Sequence, residues 1–160
     1  MKTASIYLET SVISYLASSL SNDLIVAAHQ KATLEWWSHH RHKYDLTTSA
    51  LVVQEAGLGD GKKADNRHSF LKGVRLLAVT PEAIALAKVL IQKGPLPKKA
   101  EEDALHIATA TVHRVDYLLS WNCKHIANVF MQKDLTRIIQ SQGWECPTIC
   151  TPESMLELNK

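Results

Sequence analysis

Val74 to Ser120 reads V-R-L-L-A-V-T-P-E-A-I-A-L-A-K-V-L-I-Q-K-G-P-L-P-K-K-A-E-E-D-A-L-H-I-A-T-A-T-V-H-R-V-D-Y-L-L-S, and its punctuation decides the fold class. Val74–Val79 reads as a strand. Thr80-Pro81-Glu82 starts a helix: the Thr80 hydroxyl can cap it, and Pro81 lies in the first turn, where its missing N–H costs nothing. That helix, Glu82–Gln92, stops at Lys93-Gly94-Pro95, and Leu96–Ala100 is a loop with a second proline. Glu101–Val112 follows as a helix whose Ala104, Leu105, Ala108 and Ala110 are small enough for burial on most sides. Asp116 and Tyr117 then lead into Leu118-Leu119-Ser120, an apolar run typical of a strand buried on both faces.

The same alternation extends outward in both directions. Ala4–Leu8 reads as a strand with Ile6 and Leu8 on one face, ended by Glu9-Thr10-Ser11, and Ser11 is the candidate cap of a helix through Val12–Ala17. Ser18, Ser19, Ser21 and Asn22 make a break. From Asp23 a long amphipathic pattern runs to Trp36-Trp37, and its His-, Arg- and Lys-rich end (His39–Lys43) suits the negative pole of a helix dipole. Tyr44–Thr48 reads as a strand and Ser49 as the cap of a helix carrying Leu51, Val52, Glu55 and Leu58, with a polar helix at Ala64–Leu71. Beyond Ser120, Cys123–Ser141 reads as a helix ended by Gly143, Ile149 sits in a last strand, and Thr151-Pro152-Glu153 opens a short helix. Strands alternating with helices at least four times predict a three-layer α/β/α sandwich with a mainly parallel central sheet, one domain over residues 1–160.

Composition agrees with one packed domain. The 160 residues are 46% hydrophobic and 21% charged with a net charge of +2, which rules out whole-chain disorder. Even the apolar run Ile84–Ile91 is interrupted by Lys88, well short of a membrane span. Met1-Lys2 passes straight into a strand, so no signal peptide is expected and the cytoplasm is the default compartment. Cys146 and Cys150 would lie about 13 Å apart along an extended segment, too far for a bridge. Cys123 and His125 lack a second ligand pair, and His39 and His42 lack an acidic third ligand, so reduced thiols and a basic helix end are expected.

Ligands of open α/β sheets bind beyond the carboxyl ends of the strands, so the residues just after each strand carry the chemistry. Glu9 follows the first strand and Asn122 follows Leu118–Ser120. Glu55 projects from the second turn of its helix, and Asp103 lies in a first helical turn behind Glu101 and Glu102. Three carboxylates and a carboxamide converging on one rim would serve hydration or a hard cation. Close like charges raise a carboxyl pKa unless a cation intervenes. Mg2+ or Mn2+ prefers oxygen ligands and can activate water against a phosphodiester. Plainer roles exist for each: Glu9 as an exposed cap, Glu55 as a surface residue, Asp103 as a dipole complement, Asn122 as a turn cap. Ser11 and Ser120 are candidates to orient the acids, or mere caps. Lys98, Lys99, Lys124 and His125 are candidate phosphate contacts, or solvated loop residues. Trp36 and Trp37 belong to the core or an interface rather than to base stacking.

These residues carry a resemblance. Ile6-Tyr7-Leu8-Glu9-Thr10-Ser11-Val12-Ile13 resembles the opening of a PIN domain, where a strand delivers an acid followed by Thr-Ser. Val52-Val53-Gln54-Glu55 resembles that family's second motif, and Glu102-Asp103-Ala104-Leu105-His106-Ile107-Ala108-Thr109-Ala110 its Asp-led, alanine-rich helix, the most specific of the matches. Leu118-Leu119-Ser120-Trp121-Asn122 resembles the fourth motif, a strand ending in Ser/Thr-x-Asp.

The resemblance spans nearly the whole chain. It implies a Mg2+- or Mn2+-dependent endoribonuclease of the VapC toxin type, acting on single-stranded or structured RNA. Glu9, Glu55, Asp103 and Asn122 would then be catalytic and metal-holding. A bacterial antitoxin is the implied partner, and a homodimer is plausible on the same ground. The alternative is a catalytically weakened PIN module acting by RNA or protein binding. Glu9 and Asn122 stand where the family usually has Asp, so formal charge at the rim falls from about −4 to −3 and metal affinity should drop. An aspartyl phosphotransferase is disfavoured, since Glu-Thr-Ser follows the first strand and no Gly-rich phosphate loop is present. If mutual repulsion dominates the rim, Glu9→Gln and Asp103→Asn should abolish cleavage while leaving folding intact or improved, and Asn122→Asp should tighten metal binding.

Overall fold

The computed structural model describes residues 2–157; Met1 and residues 158–160 of the expected domain lie outside it. In chain order its elements are β1 (Ser5–Leu8), α1 (Thr10–Ala17), α2 (Leu24–His39), β2 (Asp45–Ser49), α3 (Ala50–Ala56), α4 (Gly61–Phe70), β3 (Arg75–Leu77), α5 (Pro81–Gln92), α6 (Glu101–Val112), β4 (Tyr117–Leu119), α7 (Val129–Ser141), β5 (Thr148–Cys150) and α8 (Pro152–Glu157). Short 3-10 turns at Arg41–Lys43 and Lys98–Ala100 precede β2 and α6.

All five strands pair in parallel in the order β3-β2-β1-β4-β5, giving the expected α/β/α sandwich. From β1 the chain lays β2 and β3 on one side, then crosses to the other for β4 and β5. The β1–β4 boundary is therefore where strand order reverses, the usual place for a ligand crevice in such sheets. Register there sets Tyr7 beside Leu118 and Leu8 beside Leu119, and the Glu9 N–H continues the pairing onto the Leu119 carbonyl at 3.1 Å.

β1 is buried along its whole length, Ser5 through Leu8, rather than on the one face that Ile6 and Leu8 suggested. It is the central strand and both sheet faces are covered, so every side chain on it is interior. Helix α6 packs against α5 and buries Ala104, His106, Ile107, Ala108, Thr109, Ala110 and Thr111, as its small residues predict. Thr80 caps α5 by accepting the Ala83 N–H at 3.2 Å. At the other end a side chain on Gly94 would place its Cβ 2.5 Å from the Leu90 carbonyl oxygen, so the chain can leave the helix there only as glycine.

Two further sequence expectations need correction. Glu9, not Ser11, caps α1, because its carboxylate reaches the Ser11 N–H. The helix expected from Cys123 begins only at Val129. Residues 123–128 form turns in which the Asn122 carboxamide oxygen accepts the Lys124 and His125 N–H groups, and Asn128 caps α7 from Phe130 and Met131. Trp36 is wholly buried, while Trp37 packs edge-on to Phe70 beneath the Arg41 guanidinium. Arg41 also donates to the Trp37 carbonyl at 2.7 Å, so the basic tract closes the end of α2 as its charge suggests. The three cysteines are free thiols, Cys123 exposed and the others partly buried. Among the described residues no helix is long and apolar enough to cross a membrane.

Candidate active site

Glu9 leaves β1 at the reversal point and is only 5% exposed. A carboxylate so placed needs donors, and two serines brought from chain positions 109 residues apart supply them. The Ser11 N–H reaches Oε2 at 3.0 Å and the Ser11 hydroxyl reaches Oε1 at 2.6 Å, where the Ser120 hydroxyl also donates. Each hydroxyl accepts a backbone N–H in turn, from Trp121 onto Ser11 (2.8 Å) and from Asn122 onto Ser120 (2.9 Å). The candidate orienting role of Ser11 and Ser120 thus has a geometric basis, and Glu9 is a cap that is also interior.

Glu55 lies at the C-terminal end of α3. Its half-burial by itself raises its pKa, but hydrogen bonds with the His106 imidazole at 2.6 Å and the Thr10 hydroxyl at 3.0 Å outweigh this and hold the carboxyl below its ordinary range. His106 is itself wholly buried, and its Nδ1 lies 2.7 Å from the Tyr7 phenol oxygen, which lies 2.7 Å from the Ser49 hydroxyl. Burial, opposed by the Ser49 hydrogen bond and reinforced by the Glu9 and Glu55 charges, pushes the Tyr7 phenol far up, so it keeps its proton. Sequence reading assigns no role to Tyr7 or His106, which the structure joins to Glu55. The available signal was a histidine within a buried, alanine-rich helix, three residues after Asp103 and hence on the same face.

Asp103, in the first turn of α6, accepts from the Asn122 amide nitrogen on Oδ1 (3.0 Å) and contacts His125 Nδ1 through Oδ2 (2.9 Å). Asn122 therefore does not offer its carbonyl to an ion: both lone pairs of that oxygen face backbone N–H groups of the following turn. It acts as a turn cap whose amide steadies Asp103. An aspartate at 122 would lose that donor and set two carboxylates against each other, so tighter metal binding does not simply follow. Lys98, Lys99 and Lys124 are exposed, and Lys98 and Lys99 line an open cleft with Asp103, Glu101 and Glu102. His125 is tied to Asp103 rather than free.

The four candidate residues do share one rim. Hydrogen bonds run from Asp103 through Asn122 and Ser120 to Glu9, and the neighbouring Thr10 continues to Glu55. The expectation that the acids tolerate one another only through a shared ion is not met: each has its own protein donors. Among the described residues no three acidic, histidine or cysteine side chains stand close enough to grip a single metal ion. The donor chemistry nonetheless fits a hard cation that keeps much of its water. The groups are oxygens, both hydrogen bonds to Glu55 arrive at Oε1, and Glu9 Oε2 has one backbone donor, so lone pairs remain.

No family model matches the chain, and no curated protein matches it. Solved structures do. VapC20 of Mycobacterium tuberculosis, described as a sarcin–ricin loop cleaving toxin, aligns at 18% identity and a TM-score of 0.57 over 75% of this chain and 92% of that one. VapBC2 of Rickettsia felis, bound to a promoter DNA fragment, aligns at 15% and 0.54 over 75% and 89%. VapBC-1 of nontypeable Haemophilus influenzae aligns at 14% and 0.55 over 92% and 98%. At such identities the likeness shows the fold: the chain has the PIN-like α/β/α architecture of VapC toxins.

Proposed function

We propose that this chain is a divalent-metal-dependent endoribonuclease of the toxin type, restrained by an antitoxin. The observation that carries the reading is the hydrogen-bonded chain joining Asp103, Asn122, Ser120 and Glu9 across the β1–β4 reversal point, with Glu55 one residue's reach away. The carboxylates of Glu9, Glu55 and Asp103 would hold Mg2+ or Mn2+, partly directly and partly through its waters. The ion would supply Lewis-acid polarisation of a phosphodiester and an activated water. Ser11 and Ser120 hold the nearly buried Glu9 carboxylate in place through three hydrogen bonds. Asn122 and His125 fix the orientation of Asp103. Lys98, Lys99 and Lys124 surround the rim with positive charge for a polyanion. An RNA substrate and an antitoxin partner are supported by what the solved relatives in fold are described as cleaving and assembling with.

Two observations favour a second reading, a weakened module that binds RNA or protein without cutting it: every rim carboxylate already has protein donors, and the fourth acid is absent. Incubating the purified, folded chain with RNA and Mn2+ separates the two. Endonucleolytic products that vanish on chelation support the nuclease. Intact RNA, with melting insensitive to divalent ions, supports the binding module.

A further inference from the structure

Ser49, Tyr7, His106 and Glu55 come from four different elements, β2, β1, α6 and α3, yet form one unbroken line of contacts at 2.7, 2.7 and 2.6 Å. Three of the four are wholly buried. The line ends on Glu55, whose side chain is 22% exposed, so it runs from the core to the rim.

Proton placement along it follows from donor counting. The Glu55 carboxylate only accepts, so the His106 Nε2 that touches it carries the hydrogen. A neutral imidazole protonated on Nε2 has a bare Nδ1, which needs a donor, and the Tyr7 phenol is the group beside it. The Tyr7 oxygen can then accept from the Ser49 hydroxyl, whose own oxygen faces the Val52 N–H. Every hydrogen points the same way, toward Glu55, and none is left over.

We propose that Tyr7 and His106, with the Nε2 hydrogen directed at Glu55, form a positioning strut that locks the Glu55 carboxylate in register with Glu9 and Asp103. The strut's two members ride on the elements that carry the other two acids. Tyr7 is two residues before Glu9 on β1, and His106 is one helical turn after Asp103 on α6. Glu55, on the short helix α3, is thereby referenced to both. A histidine satisfied merely for the sake of the core would have no reason to end on a partly exposed acid at the rim. The metal consequence rests on the nuclease reading; the proton arrangement does not.

The test uses the full chain. Nitrogen-15 NMR at neutral pH, without metal, should show His106 as the Nε2–H tautomer, with a downfield, slowly exchanging proton that moves in Glu55→Gln. Tyr7→Phe, which removes one oxygen from a filled site, should mix in the other tautomer. Mn2+ binding read by electron paramagnetic resonance should weaken about tenfold in His106→Leu, the range known for removing an outer partner of a metal ligand. His106→Gln, which restores a donor toward Glu55, should recover most of that loss. An Nδ1–H tautomer, or a Tyr7→Phe protein with the wild-type imidazole spectrum, overturns the strut. So does wild-type Mn2+ affinity in folded His106→Leu; if that variant does not fold, Tyr7→Phe decides. Should the wild type bind no Mn2+ at all, the nuclease reading falls and the tautomer measurements still judge the strut.

Discussion

Glu9 is the residue whose energetics differ most between sequence and structure. Read along the chain, it is an acid among acids, and an amide in its place should relieve repulsion. In the fold its two oxygens receive the Ser11 N–H and the Ser11 and Ser120 hydroxyls in a nearly buried setting. Glu9→Gln would turn an amide NH2 toward at least one of these donors. It should therefore cost about 1–3 kcal/mol, the price of a buried polar mismatch, measured as a shift of the urea midpoint at unchanged slope. A gain in stability would restore the repulsion picture. Asp103→Asn faces the same objection more mildly, since one of its two partners would meet the amide's NH2. At this scale Glu9 was legible because it stands directly after a strand, and Asp103 because it lies in the first turn of a helix. The acids' partners were not, because Ser120 and His106 reach Glu9 and Glu55 only through folding, across 111 and 51 residues. The thiols give an independent check. Burial pushes the Cys150 thiol up to about 11 and raises Cys146 as well, whereas Cys123 is exposed. At pH 8 only about one Cys150 in a thousand would be thiolate, so iodoacetamide should label Cys123 first in the native chain. Equal labelling of all three would contradict the burial of β5 and its surroundings.

Elements were read correctly where a local rule sets their ends. Thr80-Pro81 opens α5 and Ser49 opens α3 as their capping chemistry predicts. Thr80→Ala should cost about 1 kcal/mol, the usual value of a lost N-cap, read by chemical denaturation. No measurable change would mean that tertiary packing alone holds that helix end. Elements were misread where a side chain competes with the helix for backbone groups. Residues 123–128 have helix-compatible residues, but the Asn122 carboxamide takes the Lys124 and His125 N–H groups, and α7 waits for the Asn128 cap. The same turn steers Asn122 toward Asp103, so this misreading and the misassigned carbonyl ligand have one cause.

For the whole molecule, layer order was legible because a parallel sheet leaves a coarse signature: apolar strands separated by capped helices. Strand order was not, since nothing local records that β4 returns to the far side of β1. That return creates the rim and places Ser120 on Glu9. Leu118, wholly buried on β4 beside Tyr7, stands at this junction. Leu118→Ala should cost about 2–5 kcal/mol in global unfolding, as truncation in a filled core does. A cost below about 1 kcal/mol, within the range of surface substitutions, would show that the β1–β4 junction is not the packed centre described here.

Whether the rim cuts RNA through a divalent ion is tested most directly by one assay: RNA cleavage by the folded chain with Mn2+, with chelator, and with Asp103→Asn. Cleavage only in the Mn2+ sample of the unsubstituted chain is the predicted result. RNA left intact there, or cut equally well by folded Asp103→Asn or under chelation, would contradict it.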